Sequence, residues 1–227
     1  MRKALFVLLG LLLVCSQVQA RKTSHYLDEI GALFSRHSGF DYYILALSWS
    51  PQFCRSPAAR HADKQPQCQA KLGFVTHGLW PQRFNGAYPQ NCGPDSPVPE
   101  SIAALVWRMS PPMPPGDTQL LNHEWRKHGT CSGLNMAEFF TAVETTAVKL
   151  KIPELLKAPL SPLTLNYEAL VNALIVANPG LSAEMLNIEV DKQGNVSGIQ
   201  ICFSKALSWQ SCPGGIQRRG GTFLPIE

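Results

Sequence analysis

Three of the six histidines lie in two short segments that are dense in chemically useful side chains. The first segment, THGLWP over residues 76–81, holds His77 close to Trp80. The second, HEWRKHGTC over residues 123–131, holds two imidazoles, a carboxylate and an amine. Imidazoles beside a carboxylate and a cation suit general acid–base chemistry. The remaining histidines lie in polar contexts that are typical of solvated surface residues: His25, His37 and His61.

The second segment is predicted to lie on a helix over residues 118–128. At helical spacing, Glu124 and His128 are one turn apart. His123 and Lys127 are related in the same way. Such charges could equally be ordinary surface ion pairs, each worth about 0.3–0.5 kcal/mol. The helix by itself therefore leaves a catalytic and a structural interpretation open.

A zinc site and a thiol nucleophile are two other chemical interpretations of this segment. Zinc-protease helices present two histidines at positions i and i+4. Here His123 and His128 are at i and i+5, about 140° apart around the helix, so one face cannot present both. Cys131 is expected to be oxidised in an exported chain, which excludes it as a nucleophile. We expect no metal and no other cofactor.

Two histidines with a cation suit cleavage of RNA next to a 2′-hydroxyl. A neutral imidazole can take the proton of that hydroxyl while an imidazolium protonates the leaving 5′-oxygen. Histidine serves both roles near neutral pH because its unperturbed pKa is about 6.5. A neighbouring cation would stabilise the negative charge that develops on the phosphate.

Both segments resemble the active-site segments of the ribonuclease T2 family, which comprises secreted, base-nonspecific endoribonucleases. The resemblance extends beyond them over nearly the whole chain that follows the first 20 residues. It is carried by four stretches: LSWSPQFC over residues 47–54, FVTHGLWP over 74–81, HEWRKHGTC over 123–131, and Ile201-Cys202 with Cys212. The sequence LSWSP, together with Gln82, is most similar to the bacterial, periplasmic branch.

The resemblance implies a role for each polar residue of the two segments. His77 would be the general acid that faces the 5′-oxygen, and His128 the general base on the 2′-hydroxyl. Glu124 and Lys127 would stabilise the pentacoordinate phosphate, and His123 would help to hold it. The product would carry 2′,3′-cyclic phosphate and 5′-hydroxyl ends. The alternative is a protein of the same fold that binds RNA or signals, with catalysis dispensable.

Four further residues match substrate-binding positions of the family. Trp80 and Tyr88 would stack on the base 5′ of the cut, and stacking tolerates any base. A core tryptophan is the structural alternative for Trp80. Gln82 stands where fungal members have an aspartate that bonds the base, and Ser48 where plant members have a glutamine at the second base site. Little base specificity is therefore expected.

The N-terminus predicts export. An apolar run over residues 4–14 follows Arg2 and Lys3, and it is too short to cross a bilayer. Residues 1–20 are expected to be a signal peptide, which leaves a single catalytic domain over residues 21–227 in the periplasm or outside the cell. Without Arg2 and Lys3, 18 basic residues face 16 acidic ones, so RNA must be recognised by a local site. We expect a monomer with no obligate protein partner and no membrane association.

The cysteines predict three disulfides. Cys15 leaves with the signal peptide, and the six that remain formally allow 15 pairings. The resemblance and the short local loops favour Cys54–Cys68, Cys92–Cys131 and Cys202–Cys212. The second of these would tie the loop after the first active-site segment to the end of the catalytic helix.

Hydrophobic periodicity and helix-capping residues predict the strands and helices that must position these residues. Strands and helices alternate irregularly, which predicts an α+β fold. The resemblance adds a central, mainly antiparallel sheet flanked by helices. Residues 50–72 are predicted to form a loop, residues 82–99 a second, and Pro81 is expected to end the strand before it. The predicted elements are strands over 40–49 and 74–80, helices over 26–36, 102–109, 118–128, 135–150 and 167–177, and a hairpin of 186–191 with 196–203.

Overall fold

The computed structural model describes residues 39–157, 159–214 and 219–226. The helix predicted over 26–36 and the expected signal peptide lie outside these ranges. The strands within them are β1 Tyr42–Trp49, β2 Phe74–Gln82, β3 Leu163–Leu165, β4 Leu186–Val190, β5 Val196–Ser204 and β6 Gly221–Phe223. The α-helices within them are α1 Ser50–Arg55, α2 Pro66–Gln69, α3 Glu100–Arg108, α4 Thr118–Lys127, α5 Met136–Lys149 and α6 Tyr167–Ala177.

Four antiparallel strands form the central sheet in the order β2-β1-β5-β4. Alternate residues of the inner strand β1, including Tyr43, Leu45 and Leu47, are buried in the core. Helix α5 contributes Phe139 and Phe140 to the same core. The predicted α+β fold, with an antiparallel sheet and helices packed against it, is confirmed.

Strand β2 runs two residues further than predicted, because Pro81 does not end it. Proline is tolerated in an edge strand when its backbone nitrogen points away from the neighbouring strand. The carbonyl of Gln82 points towards β1, where it accepts a hydrogen bond from the backbone N–H of Asp41 at 2.6 Å. The backbone of the preceding Pro81 therefore points to the outer edge, and no ladder hydrogen bond is lost.

The outer edge of β2 is partly covered by the segment that follows α3. The backbone N–H of Thr76 donates to the carbonyl of Pro112 at 2.8 Å. Its hydroxyl donates to the carbonyl of Pro111, also at 2.8 Å. The strand that carries His77 is thus held from both sides.

The loop predicted over residues 50–72 is wrong, because the segment is a series of short helical turns. Pro51, Pro57 and Pro66 each stand at the start of one of these turns. Proline suits the first turn of a helix because its fixed φ is already helical and its missing N–H has no partner there. Turns this short show too little periodicity to be found from the sequence.

The helices after residue 99 largely match their predictions. The carboxylate of Asp117 caps α4 by accepting from the N–H of Leu120, and Asn135 and Glu138 form the expected capping box at α5. Helix α4 ends at Lys127, one residue earlier than predicted, and a 3-10 turn over Gly129–Cys131 follows. The predicted helix over 167–177 and the hairpin of β4 and β5 are confirmed.

Three disulfides are present, with the predicted pairing. They join Cys54 to Cys68, Cys92 to Cys131, and Cys202 to Cys212. The small sheet of β3 and β6 was not predicted, because strands of three residues carry no usable alternation. Within the described ranges, no helix has the length and apolarity needed to cross a membrane.

Candidate active site

The buried part of helix α4 carries both apolar and ionisable side chains. Leu121, Trp125 and His128 follow one another at helical spacing and are all buried. Glu124 lies on the same helix and is also buried, with 1% of its surface exposed. A buried carboxylate needs partners, since an unpaired charge in the interior is costly.

The partners of Glu124 come from strand β2. One carboxylate oxygen, Oε2, accepts a hydrogen bond from Trp80 Nε1 at 2.8 Å. The other, Oε1, lies 3.4 Å from His77 Nε2. Burial alone would raise the pKa of Glu124, but the hydrogen bond and charge of His77 outweigh it and hold that pKa below its usual value. The carboxylate is therefore an anion that His77 and Trp80 share.

Gly78 is what lets the helix come this close to the strand. A Cβ atom at this position would overlap Oε2 of Glu124 and would lie 2.9 Å from Trp80 Nε1. The glycine between His77 and the tryptophan is thus needed for close approach rather than for an unusual backbone angle. This requirement could not be predicted from the sequence, because the residues next to a strand glycine do not indicate which side chain will lie above it.

His77 has a polar neighbour at each ring nitrogen, and its side chain is 39% exposed. Its Nδ1 lies 3.1 Å from Ser48 Oγ on β1, and its Nε2 faces Glu124. The register between β1 and β2 shifts at Ala46 and Leu47, next to the position of His77. Burial works against its charge, but Glu124 and the more distant Glu189 prevail and raise the pKa of His77.

His128 stands in the opposite kind of environment. Only 3% of it is exposed, and its ring stacks on Trp80 with centroids 5.2 Å apart and planes inclined by 24°. Its Nδ1 has no hydrogen-bond partner among the described residues. Burial, reinforced by the charge of Lys127, lowers the pKa of His128 to about 4 against the opposing effect of Glu124.

Trp80 joins the two histidines. Besides stacking on His128 and donating to Glu124, it meets the ring of His77 edge-on, with centroids 5.4 Å apart. One side of its indole is thus used to hold the site together. Its predicted stacking on a base stays a prediction, as does the base-binding role predicted for Ser48, whose hydroxyl contacts His77 instead.

The loop over residues 83–99 brings Tyr88 to the mouth of the site. Tyr88 is 45% exposed, and its ring centroid lies 6.4 Å from that of His128 and 6.0 Å from Lys127 Nζ. The loop is fastened to the end of α4 by the Cys92–Cys131 bridge. Beside the bridge, the N–H of Cys92 donates to Thr130 Oγ1 at 3.0 Å. A half-exposed aromatic ring is therefore carried by a loop that is joined to the end of α4.

The other predicted residues lie around this centre. His123 and Lys127 are on α4 and are partly exposed, and burial lowers the pKa of His123. Gln82 is two residues beyond Trp80 on β2, so the two side chains share a face of the sheet. No three His, Cys, Asp or Glu side chains of the described ranges converge as the ligands of a metal ion would.

Comparison with known proteins identifies the class to which this fold and site belong. The fold matches that of an RNase-related protein from Calystegia sepium, with a TM-score of 0.61 and 25% identity over 84% of this chain and 99% of that one. The sequence profile of the Ribonuclease T2 family matches residues 40–212. The chain belongs to the Ribonuclease T2 family.

Two bacterial relatives place it further within that family. A ribonuclease of Aeromonas hydrophila is 42% identical over 143 residues, which are 60% of this chain and 54% of that protein. A probable ribonuclease of Haemophilus influenzae is 36% identical over 138 residues, or 56% and 48% of the two chains. The matched part spans about half the length of these relatives. The expected resemblance to the bacterial branch is confirmed.

Proposed function

We propose that the protein is an endoribonuclease that cleaves single-stranded RNA by transesterification, with little base specificity and without a metal. The observation that carries this proposal is the opposite perturbation of two histidines that contact one indole. The pKa of His77 is raised and that of His128 is lowered to about 4. An imidazole that favours its charged form and one that favours its neutral form therefore lie against the same indole. Such a pair performs both proton transfers that RNA cleavage requires.

The first transfer belongs to His128. Its neutral ring takes the proton of the 2′-hydroxyl, and the 2′-oxygen attacks the adjacent phosphorus. The buried Nδ1 without a partner supports this role, because no carboxylate bonded to the ring fixes a positive charge there before the reaction. The other ring nitrogen, Nε2, is the atom that accepts the proton.

The second transfer belongs to His77. As the bond from phosphorus to the 5′-oxygen breaks, the imidazolium gives its Nε2 proton to that oxygen, and a 2′,3′-cyclic phosphate remains. Ser48 holds the ring through Nδ1. The 3.4 Å contact of Nε2 with Glu124 is long enough to leave that proton transferable. Histidine in this state is a competent acid near neutral pH.

Lys127 and Glu124 have different parts in this scheme. The ammonium group of Lys127 stabilises the negative charge that grows on the phosphate, and His123 assists in holding that group. Glu124 is buried and engaged by Trp80 and His77, which supports an action through His77 rather than directly on the phosphate. An anion beside an imidazolium favours the charged acid.

We also propose that the protein acts in the periplasm or outside the cell, after removal of residues 1–20. Three disulfides support an oxidising compartment. The mature domain over 21–227 acts as a monomer on its RNA substrate, without an obligate partner or a membrane. Size-exclusion chromatography and N-terminal sequencing of the exported protein test these points.

The test of the function uses purified protein with RNA and with DNA of the same sequence, in the presence of a chelator. We expect cleavage of the RNA alone, with 2′,3′-cyclic phosphate and 5′-hydroxyl ends. The matched control is protein carrying both His77→Ala and His128→Ala, prepared in parallel. Cleavage of DNA, loss of activity in the chelator, or 5′-phosphate ends would each contradict the proposal.

A further inference from the structure

A row of polar residues crosses the open face of the sheet and ends at His77. Strand pairing places Glu189 of β4 opposite Gly198 of β5, and Gly198 opposite Ser48 of β1. Ser48 in turn contacts Nδ1 of His77. Because residues paired across strands point to the same face, Glu189 and Ser48 lie on one side of the sheet, and the contact with Ser48 places the His77 ring on that side too.

The middle position of this row has no side chain. A Cβ atom on Gly198 would lie 3.0 Å from Oε2 of Glu189, so the carboxylate extends over the glycine. Residue 198, which is paired with both Glu189 and Ser48, therefore places no side chain between them. The same Cβ would also overlap the carbonyl of Leu47, which makes Gly198 a position of close approach.

Glu189 is held in this orientation by its neighbours. Its Oε1 accepts a hydrogen bond from Gln200 Nε2 at 2.8 Å. The side-chain oxygen of Gln200 accepts in turn from Asn187 Nδ2 at 3.3 Å. These bonds fix Oε1, while Oε2 lies on the side of Gly198.

The charged groups around His77 therefore come from two directions. From α4, Glu124 faces Nε2 and favours the charged ring, while Lys127, His123 and His128 are positive or can become so. From β4, Glu189 approaches by way of Gly198 and Ser48. Burial raises the pKa of Glu189, and the charge of His77 acts against that rise, just as the charge of Glu189 favours the charged form of His77.

We propose that Glu189 is a positioning residue that, from across Gly198 on the face that carries Ser48, maintains His77 in the protonated form required of a general acid. The inference rests on the proposed function of His77. Without Glu189, Glu124 alone would have to offset the positive charge of Lys127, which lies on the same helix as Glu124. A second carboxylate on the far side of the ring adds to the stabilisation of the cation without competing for Nε2, the nitrogen that gives up its proton.

The test is Glu189→Gln, which keeps the side-chain length and an oxygen that can accept from Gln200. The pKa of His77 is measured by NMR titration of isotope-labelled histidine, with His77→Ala used for assignment. We expect that pKa to fall by about 0.5 unit, which is the order of magnitude for a charge several ångströms away. The alkaline limb of kcat/KM should move down with it, so that activity above that limb is about threefold lower.

The matched control is Glu168→Gln, which removes the same charge from an exposed position in the first turn of α6. This control should leave both the titration and the limb unchanged. An unchanged His77 titration in Glu189→Gln, or an equal fall in both variants, would overturn the proposal. The titration does not depend on turnover, so a protein that cleaves no RNA would refute the proposed function while the Glu189 measurement still stood.

Discussion

His77 and His128 are the same residue type in opposite surroundings. His77 lies on an edge strand, partly exposed, between a hydroxyl and a buried carboxylate. His128 lies at the end of a helix, buried against the face of Trp80, with no partner at Nδ1 among the described residues. Electrostatic pairing raises one pKa, and desolvation lowers the other. The opposite pKa shifts of two identical side chains thus follow from the elements that carry them.

The two regions also differ in how they are built. The His77 side depends on cross-strand neighbours, so its partners come from positions far apart in the sequence. The His128 side depends on helical spacing and on one disulfide, so most of it is local. Predictions that separate the two sides therefore test the comparison directly.

The largest effect is expected from replacing either histidine by alanine. Loss of a general acid or base typically costs about 10²–10⁴-fold in rate, so both variants should be nearly inactive on RNA. A nucleoside 3′-(4-nitrophenyl phosphate) has a leaving group that needs little protonation. It should restore much of the rate of His77→Ala and little of that of His128→Ala in a spectrophotometric assay. Rescue of His128→Ala instead would show that acid and base are reversed.

A smaller loss is expected for Lys127→Ala. Its positive charge matters most when negative charge develops on the phosphate, so kcat should fall by about 10²-fold with little change in KM. Steady-state kinetics on a dinucleotide substrate measures both constants. The control is Arg126→Ala, which removes an exposed cation from the same helix. A raised KM with unchanged kcat would make Lys127 a phosphate binder only.

For the unmodified protein we expect a weaker effect, that of pH on kcat/KM. This rate constant should fall about tenfold for each pH unit beyond either limb of the profile. The base is lost as His128 becomes protonated, which sets an acid limb of kcat/KM near pH 4. The acid is lost as His77 gives up its proton, and because its pKa is raised, the alkaline limb should lie above pH 6.5. A profile of rates from pH 3 to 9 measures both limbs. A single limb would mean that only one group titrates in the reaction.

The smallest effect is expected for Tyr88→Ala. Stacking on a half-exposed ring is worth about 1 kcal/mol, so KM should rise roughly fivefold while kcat stays within twofold. Tyr88→Phe keeps the ring and serves as the control. A change in kcat of the same size as that in KM would place Tyr88 in the chemical step.

The local parts of the site could be predicted from the sequence. Helix α4 follows from its Asp117 cap and from the buried stripe that includes Trp125. The disulfide pairing follows from the resemblance and loop lengths. The contact of Ser48 with His77, and the placement of Glu189 on the same face, could not be predicted, because they depend on strand order and on a register shift. On a polar face of a strand, Glu189 looks like any solvated charge.

The cover over the outer edge of β2 has a consequence for self-association. An uncovered edge strand is a template on which another chain can add a strand. Here Thr76 is already bonded to the segment of Pro111 and Pro112, and Pro81 offers no N–H to a further strand. The backbone groups of β2 at Thr76 and Pro81 are therefore not available to a strand that might be added along this edge.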